Sequence, residues 1–485
     1  MTYRPPSAEY RTVPGRHFDL IYQKGRADAA WRVRRALRES RAGTDTLVGS
    51  TPDPLHMPVV VDGYSDRSNG FVTPFPFKQE IEASSIRSDA LVARYSSWPA
   101  LVGTHELVHA MHAEIAPGFG YGGLLRFFGP DAARALNLTA PSGLVEGIAV
   151  YRESQFEPGA GRLNAPLFTM KMRAAMLSND PWSLTQMMEA PRYTQPYNRH
   201  YIGGAHAVQR WIERGDSTST VFFRKATRLH NRIPLFGFGV GLWHGLGQWP
   251  DALDDSLRTT FRARYRQDLA ERRPFTETKT IAGRTGHNYR RPYWLGENTL
   301  VAYLHGYDVR KGFYRIDAQT GRRTPIRVQS ITEDYTYSLG RDTSALYASR
   351  YVPDPWVPTQ DLAEIERIAL DDGPATQLTT GGRVFAPVEA PNGALWAIQN
   401  DGAFTQWARV KGNRVQALTH FQRTRFKKIA PSPSGDRVAV LLNVDGTQRL
   451  YRATPPRPDT VQLRPWLGLK DAVIYDVSWG PAGRY

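Results

Sequence analysis

The chain has 485 residues and no cysteine. Disulfides and thiolate metal sites are therefore excluded, and any metal must rest on His, Asp or Glu. Cysteine usage does not fix the compartment. No run of about eighteen apolar residues occurs, so no segment reads as a membrane-spanning helix. Residues 1–16 are polar and Pro-rich and lack the apolar centre of a signal peptide; either the protein is cytosolic or a leader has been trimmed. A dense Lys/Arg block is also missing, although the formal charge is +16. A basic balance fits an acidic partner such as nucleic acid or an anionic surface. Without a block it reads as a solvated basic surface, and no nucleic-acid partner is expected. The nearest approach is Arg32, Arg34, Arg35, Arg38 and Arg41, opposite Val33, Ala36 and Leu37 on one predicted helix.

What remains is 41% hydrophobic and 22% charged, a globular balance long enough for two or three domains. Residues 18–23 read as a strand, 27–41 as an amphipathic helix, and 58–61 as a buried strand stopped by Asp62 and Gly63. Asn69 and Gly70 open a turn, and residues 78–83 alternate like an edge strand. Such an edge can take up an extended peptide by β-augmentation. Residues 86–115 read as helix, cut in two by Pro99, since proline inside a helix costs about 3 kcal/mol. Helical spacing continues over 144–154, 165–177, 202–214 and 253–273. The expectation is an N-terminal α/β part with the edge strand over 1–100, a mainly helical part over 101–275, and a β part over 276–485.

Within the second half of the broken helix stands His105-Glu106-Leu107-Val108-His109. Histidines four apart share a helix face, so both imidazoles can converge on one zinc ion, with Glu106 beside its open position. The plain alternative is two core histidines. His112 follows on the same face, but about 10.5 Å along the axis from His105, too far to join both on one ion. It reads as a supporting or packing residue, and the third ligand must come from another segment. Leu144-Val145-Glu146-Gly147-Ile148-Ala149-Val150-Tyr151 offers one, because a carboxylate on an apolar face is costly to bury unless paired or metal-bound. Glu146 completes a His2Glu site; Glu153 is the rival.

Residues 146, 147, 149 and 151 match Glu-Gly-x-Ala-x-Tyr, and here the chain resembles the gluzincin metallopeptidases. The resemblance is to the peptidase MA-like branch, in which a gluzincin unit precedes a TolB-type propeller. It covers about residues 15–275 and, more loosely, the rest. It implies an α+β zincin-like unit, one Zn2+ held by His105, His109 and Glu146, and Glu106 as general base. Tyr201, three residues before Gly204, matches a tyrosine that in aminopeptidase-type gluzincins donates a hydrogen bond to the tetrahedral intermediate. Ile202-Gly203 replaces the usual Glu-Lys between them, and Tyr197 and His200 are reserves. Thirty-six residues separate His109 from Glu146, more than in those enzymes, so residues 116–139 would form an excursion beside the site. The long metzincin form fails, because His112 and Ile115 stand where it needs Gly and His. Nor does Asn69-Gly70-Phe71-Val72 offer the glutamate that anchors a free amine, which favours an endopeptidase or processing role over an aminopeptidase.

From about residue 276 short alternating runs and Gly turns take over. Gly296, Gly340, Gly393 and Gly435 each precede an apolar run and follow one another at intervals of 44, 53 and 42 residues. Asp401-Gly402 and Asp445-Gly446 are 44 apart. Four-stranded propeller blades have about this period; an ordinary β-sandwich is the alternative. A fifth unit opens at Val477-Ser478-Trp479-Gly480 in this reading, and closure needs whole blades. The expectation is an incomplete propeller, from a truncated chain or one completed by residues not shown. The resulting functional expectation is a zinc-dependent peptidase acting on a peptide or protein substrate. The alternative is a propeller-based binding or scaffold protein with a structural or degenerate zincin unit. The resemblance implies export to the periplasm or beyond, with a cytoplasmic location left open, and a protein partner through the propeller.

Overall fold

A computed structural model describes residues 4–49, 55–88, 94–116, 119–215, 221–357, 360–371, 373–422, 424–455, 461–468 and 473–480. Five strands, β1 (Tyr10–Val13), β2 (Phe18–Gln23), β3 (Met57–Asp62), β4 (Gly70–Pro74) and β5 (Phe77–Glu82), form one sheet in the order β1-β2-β3-β5-β4. β2, β3 and β5 are parallel; β1 and β4 run antiparallel at the two edges. β3 is buried almost throughout, as a parallel strand covered on both faces must be. Helix α1 (Ala27–Val48) joins β2 to β3 and turns Val33, Ala36 and Leu37 inward. Its outer arginines are partly paired along the helix, Arg32 with Asp28 at 2.9 Å and Arg35 with Glu39 at 2.7 Å.

Two expectations need correction. The segment read as an edge strand is β5, which lies between β3 and β4. Asn69 and Gly70 start the true edge strand, β4, and the chain turns back at Phe75-Pro76. Polar alternation misled here because Gln79 and Glu80 are polar yet buried. Second, residues 84–88 and 94–97 carry no helix, and 89–93 lie outside the described residues. Helix α2 (Trp98–Ala113) starts with Pro99 in its first turn, where the missing N–H would have had no partner anyway.

Among the described residues of 121–270 there are nine further α-helices: α3 (Tyr121–Phe127), α4 (Pro130–Asn137), α5 (Ser142–Glu153), α6 (Pro166–Leu177), α7 (Leu184–Met188), α8 (Arg199–Ile212), α9 (Phe222–Arg232), α10 (Gly237–Leu246) and α11 (Pro250–Ala270). α3 and α4 are the excursion between His109 and Glu146. Among the described residues no helix is long and apolar enough to cross a membrane.

Residues 287–468 form four four-stranded antiparallel sheets, each built from strands consecutive in sequence. This is a propeller-like arrangement. The repeated Gly turns are the first hairpin of each sheet: Gly296, Gly340, Gly393 and Gly435 sit between or at the ends of its first two strands. The longer interval of 53 residues reflects the two nine-residue strands Ala345–Pro353 and Asp361–Ala369. Residues 473–480 form no strand, and 481–483 lie outside the described residues. Instead the Trp479 indole donates to Ala430 O at 2.8 Å, against the fourth sheet.

The sheets are fastened to the loops after β3 and β5. Asp66 is fully buried. It accepts from Arg383 at 2.7 Å, from the Asn400 amide at 2.9 Å and from the Ala363 N–H at 3.0 Å. Arg87 reaches Phe426 O at 3.1 Å, and Asn443 reaches Tyr95 O at 3.3 Å. These contacts flank the segment that enters α2, so the β region helps hold the start of that helix.

Candidate metal centre

Every residue of α2 is buried except His109. Ionisable groups on such a helix must satisfy one another or hold something. His105 Nε2 and His109 Nε2 are 3.1 Å apart. Glu146 Oε2, from α5, is 3.2 Å from the first and 3.4 Å from the second. Two turns of α2 and one of α5 thus aim three donor atoms at one point.

Glycine sets the approach of the helices. A Cβ on Gly147 would stand 2.6 Å from the Gly204 carbonyl, and one on Gly204 only 1.8 Å from Gly143 O. α5 and α8 therefore cross backbone to backbone. This crossing brings Tyr201, one turn before Gly204, onto Glu146: its hydroxyl donates to Oε1 at 2.9 Å. Gly204→Ala meets backbone, which cannot swing aside. We expect it to destabilise the fold by at least about 2 kcal/mol, read as a lowered Tm, and an unchanged Tm would show that the crossing is looser than drawn.

Behind the donors lies a buried carboxylate. Glu153, the last residue of α5, places Oε2 2.9 Å from His105 Nδ1. Glu153 Oε1 in turn accepts from the Arg162 N–H at 3.0 Å and lies 3.3 Å from Arg162 Nε. Arg162 also stacks over the Tyr201 ring at 5.1 Å. Burial and Arg162 push the His105 pKa down, but hydrogen bonds to Glu146 and Glu153 outweigh them and raise it to about 9. Burial alone would raise Glu146; the His109 charge and hydrogen bonds from both histidines hold it well below the usual carboxylate range. Glu106 is pushed up, chiefly by burial. Its Cγ would lie 3.2 Å from a Cβ on Gly70, so this carboxylate abuts the first residue of the edge strand.

These residues fit a zinc ion. With Nδ1 of His105 facing a carboxylate, its proton belongs there, which leaves Nε2 a lone-pair donor. Two imidazole nitrogens and a carboxylate oxygen then converge as the donor set of a His2Glu site. Tetrahedral bonds of about 2.0–2.1 Å put neighbouring ligand atoms about 3.3 Å apart, and the three distances here are 3.1, 3.2 and 3.4 Å. Among the described residues, His105, His109 and Glu146 are the only such grouping of metal-binding side chains.

The other candidates fall outside the cluster. His112 is enclosed against Phe223, ring centres 4.9 Å apart, and burial lowers its pKa to about 3. His200 packs on the Tyr201 ring at 4.5 Å; Tyr197 is exposed. Glu153, considered above as a rival ligand, is turned to the far side of His105. Its supporting role and its partner Arg162 were not foreseen, because Arg162 arrives from a separate loop.

No protein-family model matches the chain, and no curated protein matches it. Among solved structures the chain is similar to a TolB protein of Agrobacterium tumefaciens, at 17% identity over 35% of this chain and 62% of that one, TM-score 0.29. It is also similar to TolB of Acinetobacter baumannii, at 16% identity over 36% and 42%, TM-score 0.29. A puromycin-hydrolysing peptidase of Mycobacterium tuberculosis gives 17% identity over 38% and 37%, TM-score 0.23. The chain thus spans less than two thirds of each, and no activity transfers at such identities.

Proposed function

We propose that the chain is a zinc-dependent peptidase of gluzincin type, with a zincin-like unit before the propeller-like region. The observation that carries this is the convergence of His105, His109 and Glu146, with Glu106 on the same helix and Glu153 behind His105. His105, His109 and Glu146 would hold one Zn2+. When bound, zinc supplies a Lewis acid for the scissile carbonyl and brings the pKa of a water towards about 7. Glu106, enclosed and raised in pKa, takes the proton of the attacking water and returns it to the leaving amine. Tyr201 offers a hydroxyl to the developing oxyanion. Free Tyr201 is engaged by Glu146, so this donation requires its hydroxyl to swing. β4 lies beside Glu106, and its outer edge is where an extended substrate backbone would pair. This replaces the role expected of residues 78–83.

Metal content of the purified chain, measured together with cleavage of unfolded casein, tests the reading. One zinc per chain and chelator-sensitive cleavage are expected; a metal-free, inert protein in zinc-supplemented buffer would sink it. Glu153 provides a finer check. Carboxylates behind a ligand histidine are worth about 10–100-fold in metal affinity. Glu153→Gln should lose that much in competition with a chelator, and excess zinc should restore cleavage.

One observation favours the binding-protein alternative. The first strands of the second, third and fourth sheets, with Tyr293, Val477 and Trp479, line a cavity of about 250 Å³. The two readings separate on the casein assay, since a scaffold would not cleave.

A further inference from the structure

Several of the highly exposed large apolar side chains lie at two neighbouring tips of the helical part. One tip is the excursion around α3, with Phe119 at 89%, Phe127 at 86% and Phe128 at 73% exposure. The other is the turn between α9 and α10, with Leu235 at 98% and Phe236 at 68%. They are adjacent in space, because a Cβ on Gly120 would meet the backbone of Arg232 at 2.7 Å. Lone exposed apolar residues are ordinary, but a contiguous group this exposed marks an interaction surface.

The charge around the tips says what kind. α9 is strongly amphipathic, burying Phe222, Phe223 and Ala226. Its other side carries Arg224, Lys225, Arg228 and Arg232. Partial burial, and then the neighbouring Arg224 and Arg232 charges, disfavour the charge on Arg228. Among the described residues none of these four pairs with a carboxylate in an ion pair, nor does Arg126 on α3. Some arginines elsewhere pair locally, as Arg32 and Arg35 do along α1. This unpaired basic group, part of the net charge of +16, is set apart by its place beside the apolar tips.

We propose that this face binds the surface of an anionic lipid bilayer. Aromatic and leucine side chains would enter the headgroup–acyl boundary while the α9 cations meet anionic headgroups. A protein partner would not need cations arrayed without acids, and nucleic acid would not call for a fully exposed leucine. The proposal is independent of the zinc reading and uses no catalytic residue.

The test is flotation of the full chain with vesicles of phosphatidylcholine alone or mixed equally with phosphatidylglycerol. Binding to the mixed vesicles is expected, weakened by raised salt, with little binding to neutral ones. The variant Phe127→Ser, Phe128→Ser, Leu235→Ser, Phe236→Ser should bind at least tenfold more weakly while keeping its Tm, since none of the four side chains packs inside. Arg228→Glu with Arg232→Glu should do the same through charge. Absence of flotation with mixed vesicles, or flotation untouched by both variants, overturns the proposal. So does a wild-type dimer that the serine variant turns into a monomer without any vesicle binding, which would assign the face to a second copy. Tight oligonucleotide binding without flotation would likewise overturn it.

Discussion

Glu106→Gln should abolish hydrolysis, by roughly a thousandfold or more, while zinc stays bound. A positioned general base contributes about 10²–10⁴-fold, or about 3–5 kcal/mol of barrier. The residue sits at the upper end because nothing nearby can replace it. Its carboxylate is enclosed at the foot of the edge strand, and the closest other carboxylates are committed: Glu146 to the two histidines and Tyr201, Glu153 to His105 and Arg162. Glutamine keeps the shape and the contact with Gly70 but cannot accept the proton. Burial raises the Glu106 pKa, with the His109 and His105 charges opposing. Below that raised pKa the base is protonated, so wild-type activity should fall on the acid side and recover as pH rises through it. The pair of readouts matters. Lost cleavage with one zinc retained supports a base; lost zinc as well would mean that Glu106 holds the site together; full cleavage would remove it from the chemistry.

How far the sequence reveals this site depends on how local each relationship is. His105, Glu106 and His109 are legible because helix periodicity alone puts them on one face. Glu146 is legible because a carboxylate between Val145 and Ile148 needs a reason to be buried, and Tyr201 only through the resemblance, as a tyrosine three residues before Gly204. Glu153 is visible only as a second acid on the same helix. Its true direction depends on Arg162, nine residues on and past a glycine-rich turn, which no periodicity reports. The blades are legible for the opposite reason: each repeats the same hairpin, so Gly296, Gly393 and Gly435 announce themselves together. Their attachment is not, since Asp66 and Arg383 are 317 residues apart and look like unrelated surface charges. The edge strand was misplaced because pairing order is a tertiary fact. Gly70–Pro74 shows a turn signal at its start, and only the register with Phe77–Glu82 reveals a strand. α10, with Gly241 and Gly245 packed on the backbone of α9, carries too much glycine to read as a helix at all.

Glu146→Ala should remove the metal and, with it, all activity. Structural zinc sites are worth about 10–16 kcal/mol; shared among four ligands, one is worth about 3 kcal/mol, a loss of roughly a hundredfold or more in affinity. Glu153 cannot step in, because Arg162 and its own helix hold it on the Nδ1 side of His105. Excess zinc should therefore rescue Glu153→Gln but not Glu146→Ala, which separates a ligand from its support. The pH dependence adds an independent sign. In the metal-free chain His105 keeps a proton up to about 9, and zinc must expel it. Affinity should thus climb about tenfold per pH unit through neutrality and level off as pH passes that pKa. Removing Glu146 deletes one of the groups that raise His105, so in Glu146→Ala the plateau should begin at lower pH. Isothermal titration at three pH values checks both statements. Unchanged affinity in Glu146→Ala would place the third ligand elsewhere and undo the assignment of this site.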